Sequence, residues 1–331
     1  MWLSRHLRSC PTSKAPHSSS SRQCNARLSS TCRQDLLTRT STRCRATGDN
    51  SDDSPPKTVN YLEVIIKRKQ KELEVVLTEL GMESLEERLQ SAVSSPARPP
   101  YKLSTLITES TPRGHCVLVF ELSRPSPTTT PAQLAALAKA YVAMGADAIC
   151  VRTDSDDTPS GTIDLFTVIQ AVGRKVPVIT RDWLIHPLQV VEIKESGAAG
   201  ALGVICQVNG KGTTIMSSFS SAIGLDAPVE VINTREVEML DRAGVAFFAI
   251  NISVGISVAI PGFASDLAHG LLGQLPFGCI SIVGVTSIEG ARAARQSGAD
   301  SLLIKREMLQ AHEGQLDGLI DSLRYITSGD D

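Results

Sequence analysis

Short apolar runs alternate with amphipathic segments from residue 117 to near the C-terminus. The runs hold four to six residues rich in Val, Ile, Leu and Ala, a length and composition typical of strands buried on both faces of a parallel sheet. The predicted strands are 117–120, 147–152, 177–180, 201–206, 228–231, 246–250, 280–284 and 301–304. Helices are predicted between and after them at 131–143, 163–172, 187–196, 213–223, 234–243, 262–274, 287–297 and 313–327. The pattern therefore predicts eight βα units.

A repeated helix-to-strand junction supports this count. It occurs at Met144-Gly-Ala-Asp147, Ser196-Gly-Ala-Ala199, Ala243-Gly-Val-Ala246 and Ser297-Gly-Ala-Asp300, with glycines 52, 47 and 54 residues apart. Each interval spans about two βα units, and a glycine suits the left-handed residue that ends a helix. The predicted fold is a (β/α)8 TIM barrel with an N-terminal helical extension. A doubly wound sheet is disfavoured, because the turn after the first strand is not glycine-rich.

The region before the barrel divides into three parts. Residues 1–50 are predicted to be a leader, 51–57 a Pro- and Asp-rich linker, and 58–100 a helical extension, with the barrel at 101–331. Within the extension, apolar residues at three- and four-residue spacing predict a helix over 58–80, and a shorter helix is predicted over 84–92.

The leader has the composition of an organelle transit peptide. It carries eight Arg and one Lys against two acidic residues, with many Ser and Thr and no sustained apolar segment. Cys44-Arg45-Ala46 is similar to the cleavage region of chloroplast transit peptides. We therefore expect import into the plastid stroma, with the mitochondrion as the alternative. A disordered basic tail that binds nucleic acid or membrane is the other interpretation.

Composition narrows the partners of the rest of the chain. Residues 51–331 hold 24 basic and 33 acidic residues, a charge of about −9, which disfavours nucleic-acid binding. No apolar run approaches the roughly 18 residues of a membrane span. The four cysteines outside the leader sit singly in or beside apolar runs, so we interpret them as buried small hydrophobes. The sequence predicts neither a metal site nor a cofactor.

Polar residues follow the predicted strands, at the end where barrels place their active sites. The first strand leads into Glu121 within the segment Val117-Leu-Val-Phe-Glu-Leu-Ser-Arg-Pro-Ser-Pro127. Later strands end at Thr153–Asp157, Arg181-Asp182, Gln207, Glu230, Asn251, Thr286-Ser287 and Lys305-Arg306. Carboxylates, an amide and several cations around one opening suit an anionic ligand and proton transfer. A strand-end glutamate that only pairs with a neighbour is the structural alternative.

These segments resemble the indole-3-glycerol-phosphate synthase family, over about residues 58–327. Six patterns of the family correspond to segments of this chain. They are E-x-K-x-x-S-P-S at Glu121–Pro127, Lys-acid-aromatic at Arg181–Trp183, E-V-H-x-x-x-E at Glu230–Glu236, I-N-x-R at Ile250–Ser253, E-S-G at Val285–Ser287 and Gly-Ser at Lys305-Arg306. The resemblance implies a barrel that closes and decarboxylates a carboxyphenylamino-deoxyribulose phosphate. It implies catalytic positions at Glu121, Arg181, Glu230 and Asn251. It implies substrate and phosphate contacts at Ser123, Ser126, Thr286, Ser287, Lys305 and Arg306.

Several departures bear on activity. The family's first-loop lysine is Ser123 here, and its third-strand lysine, the general acid for ring closure, is Arg181. Arginine stays protonated, so it does not act as a recyclable acid, although it can hold an anion. The sixth-strand arginine is Ser253, and Lys305-Arg306 replaces the small pair of the phosphate site.

The sequence leaves three functions open. The first is a catalytically degenerate plastid member, a pseudoenzyme kept to bind a protein partner or a phosphorylated ligand. The second is an active carboxy-lyase of tryptophan biosynthesis, or a related barrel lyase. The third is an assembly protein that uses residues 58–92 as an interaction arm.

Overall fold

The structure is a computed structural model that describes residues 61–94, 102–154, 161–250, 263–312 and 316–324. These residues belong to one compact unit, Thr58–Asp331. The predicted leader and linker lie outside the described residues. None of the helices within those ranges is both long enough and apolar enough to span a membrane.

Two exposed helices form the N-terminal extension. α1 is Tyr61–Leu80 and α2 is Met82–Ser94, close to the predicted bounds. Most of their side chains remain exposed, with Ile65 and Leu85 the buried apolar residues among those described. The extension therefore attaches to the barrel largely through polar contacts.

A parallel sheet follows. Its strands are β1 (Val117–Leu122), β2 (Ala148–Arg152), β3 (Val178–Arg181), β4 (Gly200–Leu202), β5 (Val204–Ile205), β6 (Val229–Glu230), β7 (Phe247–Ile250), β8 (Ile280–Val285) and β9 (Ser301–Ile304). The described part of the sheet has the order β4-β3-β2-β1-β9-β8-β7-β6-β5, all parallel. β4 and β5 are the two halves of the single strand predicted over 201–206, which explains nine segments where eight strands were predicted.

Gly203 separates β4 from β5. Its φ is +130°, and a Cβ there would lie 1.7 Å from the carbonyl oxygen of Asp182. Only glycine fits such a close approach. On the other side of the break, Gly200 makes a parallel bridge to Asp226, and Ala201 N–H donates to Asp226 O at 2.7 Å. This contact brings the two ends of the sheet together into a nearly closed barrel, so the (β/α)8 prediction is confirmed.

Helices surround the barrel and continue the numbering. They are α3 (Leu103–Ser110), α4 (Pro131–Met144), α5 (Gly161–Val172), α6 (Pro187–Glu195), α7 (Cys206–Asn209), α8 (Gly212–Ala222), α9 (Thr234–Arg242), α10 (Phe263–Leu272), α11 (Ile288–Gln296), α12 (Arg306–Ala311) and α13 (Leu316–Arg324).

The period-two alternation of each strand divides the core into two. One cluster lies between strands and helices, and it includes Leu118 and Phe120 of β1. The other fills the barrel interior, and it includes Val119, Ile179 and Leu303. Counting two residues onward from these three interior positions reaches Glu121, Arg181 and Lys305. Strand geometry alone thus directs three charged side chains to the barrel mouth, the opening at the carboxyl ends of the strands.

α3 closes the opposite end of the barrel. Leu103 and Ile107 are fully buried and belong to the interior cluster. Ser104 donates to Asp226 from its backbone N–H and its hydroxyl, at 3.0 and 2.6 Å. This helix was not among the predicted elements, although Leu103, Leu106 and Ile107 have helical spacing.

Candidate active site

Glu121 and Arg181 form an ion pair at the mouth. Glu121 is 1% exposed, and Arg181 Nη1 donates to its Oε1 at 2.5 Å. Their strands, β1 and β3, lie on either side of β2, so the contact passes over Cys150, the residue of β2 paired with Glu121. The carboxylate is therefore fixed by a side chain that reaches across an intervening strand.

Lys305 lies beside Glu121 on the other neighbouring strand. Phe120 pairs with Ile304, so the next positions bring Glu121 and Lys305 side by side. Lys305 is 3% exposed, and its backbone N–H donates to Val285 O at 2.9 Å. A buried lysine thus occupies the end of the last barrel strand.

Glu230 adds a second buried carboxylate, at the end of β6. The pKa of the Lys305 amine is lowered to about 8, chiefly by burial and also by Arg181, while Glu121 and Glu230 act in the opposite direction. Burial opposes ionisation of Glu121, but Lys305 and Arg181 outweigh it and hold the pKa of Glu121 below its ordinary value. Burial likewise opposes the charge of Arg181, yet Glu121 and Glu230 raise its pKa. Arg181 is therefore permanently charged, whereas the lowered pKa of Lys305, about 8, lets its amine lose a proton far more readily than an ordinary lysine.

Arg306 contacts the first loop at Ser123 and Pro125. Its Nη1 donates to Ser123 Oγ at 3.1 Å and its Nη2 to Pro125 O at 3.1 Å. Its backbone N–H donates to Glu121 Oε2 at 3.2 Å. The two departures at Ser123 and Arg306, distant in sequence, are in contact. Arg306 thus brings a cation from the start of α12 to the side chain of Ser123, where the family resemblance implies a lysine.

The remaining predicted site residues have other surroundings. Thr286 follows β8 and is exposed, while the Ser287 hydroxyl accepts from Gly290 N–H at 3.1 Å and caps α11. The Ser126 hydroxyl lies 2.9 Å from that of Thr128, within the first loop. Asn251 and Ser253 lie outside the described residues.

A second polar cluster, not anticipated from the sequence, joins α1 to the barrel. Lys69 Nζ lies 2.8 Å from Asp182 Oδ1 and 3.1 Å from Asp154 Oδ1, beside a cavity of about 540 Å³. Although burial opposes the charge of Lys69, the two aspartates hold its pKa above the ordinary value. Burial raises the pKa of Asp182, more than Lys69 lowers it. These charges fasten the N-terminal extension next to the mouth.

The described part of the chain contains no set of side chains suited to binding a metal ion. No group of three or more His, Cys, Asp or Glu side chains there has the arrangement needed to hold a metal ion. The polar mouth instead combines carboxylates with an amine and two guanidinium groups.

Comparisons with known proteins identify one family. The family model described as indole-3-glycerol phosphate synthase matches residues 62–317. The indole-3-glycerol phosphate synthase of Opitutus terrae is 26% identical over 211 residues, covering 60% of this chain and 77% of that protein. The Streptococcus mutans enzyme is 27% identical over 198 residues, covering 59% and 71%. Because the family model matches more than half of its length, the chain belongs to the indole-3-glycerol phosphate synthase family.

Proposed function

We propose that this barrel binds a small phosphorylated or carboxylated ligand at its mouth and does not close the indole ring at a useful rate. The observation that carries the proposal is the ion pair between Arg181 and Glu121. In the family, the third strand supplies a lysine as general acid. Here a permanently charged guanidinium stands at that position and engages a carboxylate at a catalytic position.

The charge of the mouth favours an anion. Arg181, Lys305 and Arg306 oppose two buried carboxylates, Glu121 and Glu230, which leaves a positive excess while Lys305 is protonated. The guanidinium of Arg306 is only half-buried and lies at the rim. Guanidinium groups bind carboxylates and phosphates through two parallel hydrogen bonds, so Arg306 is the proposed anchor.

One observation favours a second candidate function, a retained lyase activity. Lys305 has a pKa of about 8 and lies beside Glu121, so the mouth still contains a group able to donate and recover a proton near neutral pH. Under this alternative, the amine of Lys305, after the last strand, would serve as the general acid in place of the lysine that the family has on its third strand.

The test measures turnover and anion binding with the full-length chain. We expect inorganic phosphate to raise the melting temperature of the parent, and Arg306→Ser to reduce that shift. Arg242→Ser, at an 80% exposed side chain at the C-terminal end of α9, is the matched control. Turnover of the family's substrate by the parent at about 1 per second or more would overturn the proposal that the protein does not close the indole ring at a useful rate. If millimolar phosphate leaves the melting temperature of the parent unchanged, the proposal that the mouth binds an anion is overturned.

A further inference from the structure

Lys305 carries a nucleophilic amine that is buried and held in a fixed position at the described part of the mouth. It directly follows a barrel strand, and its backbone is tied to Val285 of the neighbouring strand. Its amine lies among Glu121 of β1, Cys150 of β2, Arg181 of β3 and Glu230 of β6. The proposed anion binding at Arg306 makes no use of the nucleophilic character of this amine.

These surroundings are the ones that make a lysine nucleophilic. An ammonium group must lose its proton before the nitrogen can attack, and both desolvation and a neighbouring cation promote that loss. Lys305 has both, because it is 3% exposed and lies close to Arg181. The nearby carboxylates of Glu121 and Glu230 favour the charged amine, but burial and Arg181 outweigh them.

Cys150 is the other buried nucleophile at this part of the mouth, and its thiol is less reactive than the Lys305 amine. Burial raises the pKa of the Cys150 thiol to about 12, so a thiolate is scarce near neutral pH. The amine is therefore the more reactive group, and a carbonyl carbon is the electrophile that amines convert reversibly into a covalent adduct.

We infer that Lys305 forms an imine with the carbonyl carbon of a phosphorylated or carboxylated aldehyde or ketone bound at the mouth. The inference rests on the proposed anion-binding function. The Nζ lone pair attacks the carbonyl carbon, the π electrons of the C=O bond move to oxygen, and a proton passes from the nitrogen to that oxygen to give the carbinolamine. The carbinolamine then loses one water molecule as the C=N bond forms. No oxidant or reductant takes part.

The experiment traps this imine in the full-length protein. Dihydroxyacetone phosphate is the probe, cyanoborohydride reduces any imine to a stable amine, and peptide mass spectrometry locates the adduct. We expect one reduced triose phosphate per chain on the peptide containing Lys305. Lys305→Met and Lys305→Arg should both lose this adduct, the second while keeping the charge. Lys175→Met, which removes an exposed lysine, should retain it.

The pH dependence separates Lys305 from surface lysines. Between pH 7 and pH 9 the neutral fraction rises about tenfold for a pKa of about 8, but about a hundredfold for an ordinary lysine. The selectivity of labelling for Lys305 should therefore fall about tenfold over that range. Dividing the labelling of Lys305 by the labelling of surface lysines at the same pH cancels the pH dependence of the reductant.

The outcomes distinguish this inference from the anion-binding function. A thermal shift with phosphate but no adduct on Lys305 would overturn the imine and leave anion binding intact. Labelling spread evenly over exposed lysines, or equal labelling by dihydroxyacetone without phosphate, would also overturn it. The absence of both a shift and an adduct would overturn both. Because the adduct is located in the parent protein, the result stands even if a Lys305 variant fails to fold.

Discussion

Arg181 donates from Nη1 to Oε1 of Glu121 at 2.5 Å, across the strand that lies between their own. Glu121 is 1% exposed and the Arg181 side chain 15% exposed, so the pair is largely withdrawn from water. Removing one partner of a buried pair leaves an uncompensated charge, which costs more than the intact pair contributes.

The first prediction concerns the stability of this pair. Arg181→Met should lower the free energy of unfolding by about 3 kcal/mol, because the buried carboxylate loses the guanidinium that is hydrogen-bonded to it. Urea denaturation measures the change. The double variant Glu121→Gln/Arg181→Met should recover much of the loss, since it removes both charges. Arg242→Met, at an exposed ion pair, should change stability by less than about 1 kcal/mol. Equal effects of the two single variants would contradict a stabilising role for the Glu121 contact.

Much of the mouth was predictable because strand patterns are local. The apolar runs indicated where β1, β3, β6 and β9 end, and the family resemblance implied functional roles for the residues at those ends. The barrel itself followed from the alternation of strands and helices and from the four helix-to-strand junctions. These signals span only a few residues each, so one sequence is enough to read them.

What could not be predicted depends on contacts between segments far apart in the chain. The hydrogen bond from Arg306 to Ser123 joins residues 183 positions apart, and its sequence signal was two separate departures from family patterns. Lys69 lies on α1 among other Lys and Glu residues, so nothing marked it as the partner of Asp182. The break at Gly203 depends on the approach of the Asp182 carbonyl, which no local pattern encodes.

The second prediction concerns the pH dependence of stability from Lys305. Its folded pKa of about 8 lies below the ordinary 10.5, so between these values the unfolded chain holds a proton that the folded protein lacks. The free energy of unfolding should therefore rise with pH across this window, by about 3 kcal/mol relative to Lys305→Met. Urea denaturation of both proteins at pH 8 and pH 10.5 measures the difference, and contributions of other groups cancel. Parallel profiles would rule out a depressed pKa.

The third prediction tests the strand break. Gly203→Ala should destabilise the protein severely, by several kcal/mol or to the point of misfolding, because the new Cβ meets the Asp182 carbonyl oxygen at 1.7 Å. Gly244→Ala is the matched control: its φ of +79° is also positive, but nothing lies within 4 Å of the added atom. Only the left-handed backbone cost of about 1–2 kcal/mol is expected there. Thermal denaturation compares them, and similar losses would show that the close approach is unimportant.

The fourth prediction concerns the N-terminal residues. We propose that residues 1 to about 46 direct import into the plastid, because they are rich in Arg and Ser and poor in acidic residues. A fluorescent protein fused to residues 1–60 should accumulate in the stroma of plant cells. Reversing the charge of four of the eight arginines should leave the fusion in the cytosol. Import into mitochondria would support the alternative destination, and a cytosolic parent fusion would exclude both.

The fifth prediction asks how much of the family's chemistry can be restored. Ser123→Lys with Arg181→Lys returns both family lysines, so the pair should raise turnover of the family's substrate above that of the parent. The structure also predicts that this gain is limited, because a lysine at position 123 would meet the Arg306 guanidinium, now bonded to the serine hydroxyl. Adding Lys305→Gly and Arg306→Ser removes that repulsion and reopens the backbone of the last loop. The fourfold variant should therefore exceed the double variant, and a working general acid is worth about 10²- to 10⁴-fold. Adding Glu121→Gln should abolish the gain without changing the number of lysines. If the fourfold variant is no more active than the parent, then the defect lies outside these four positions.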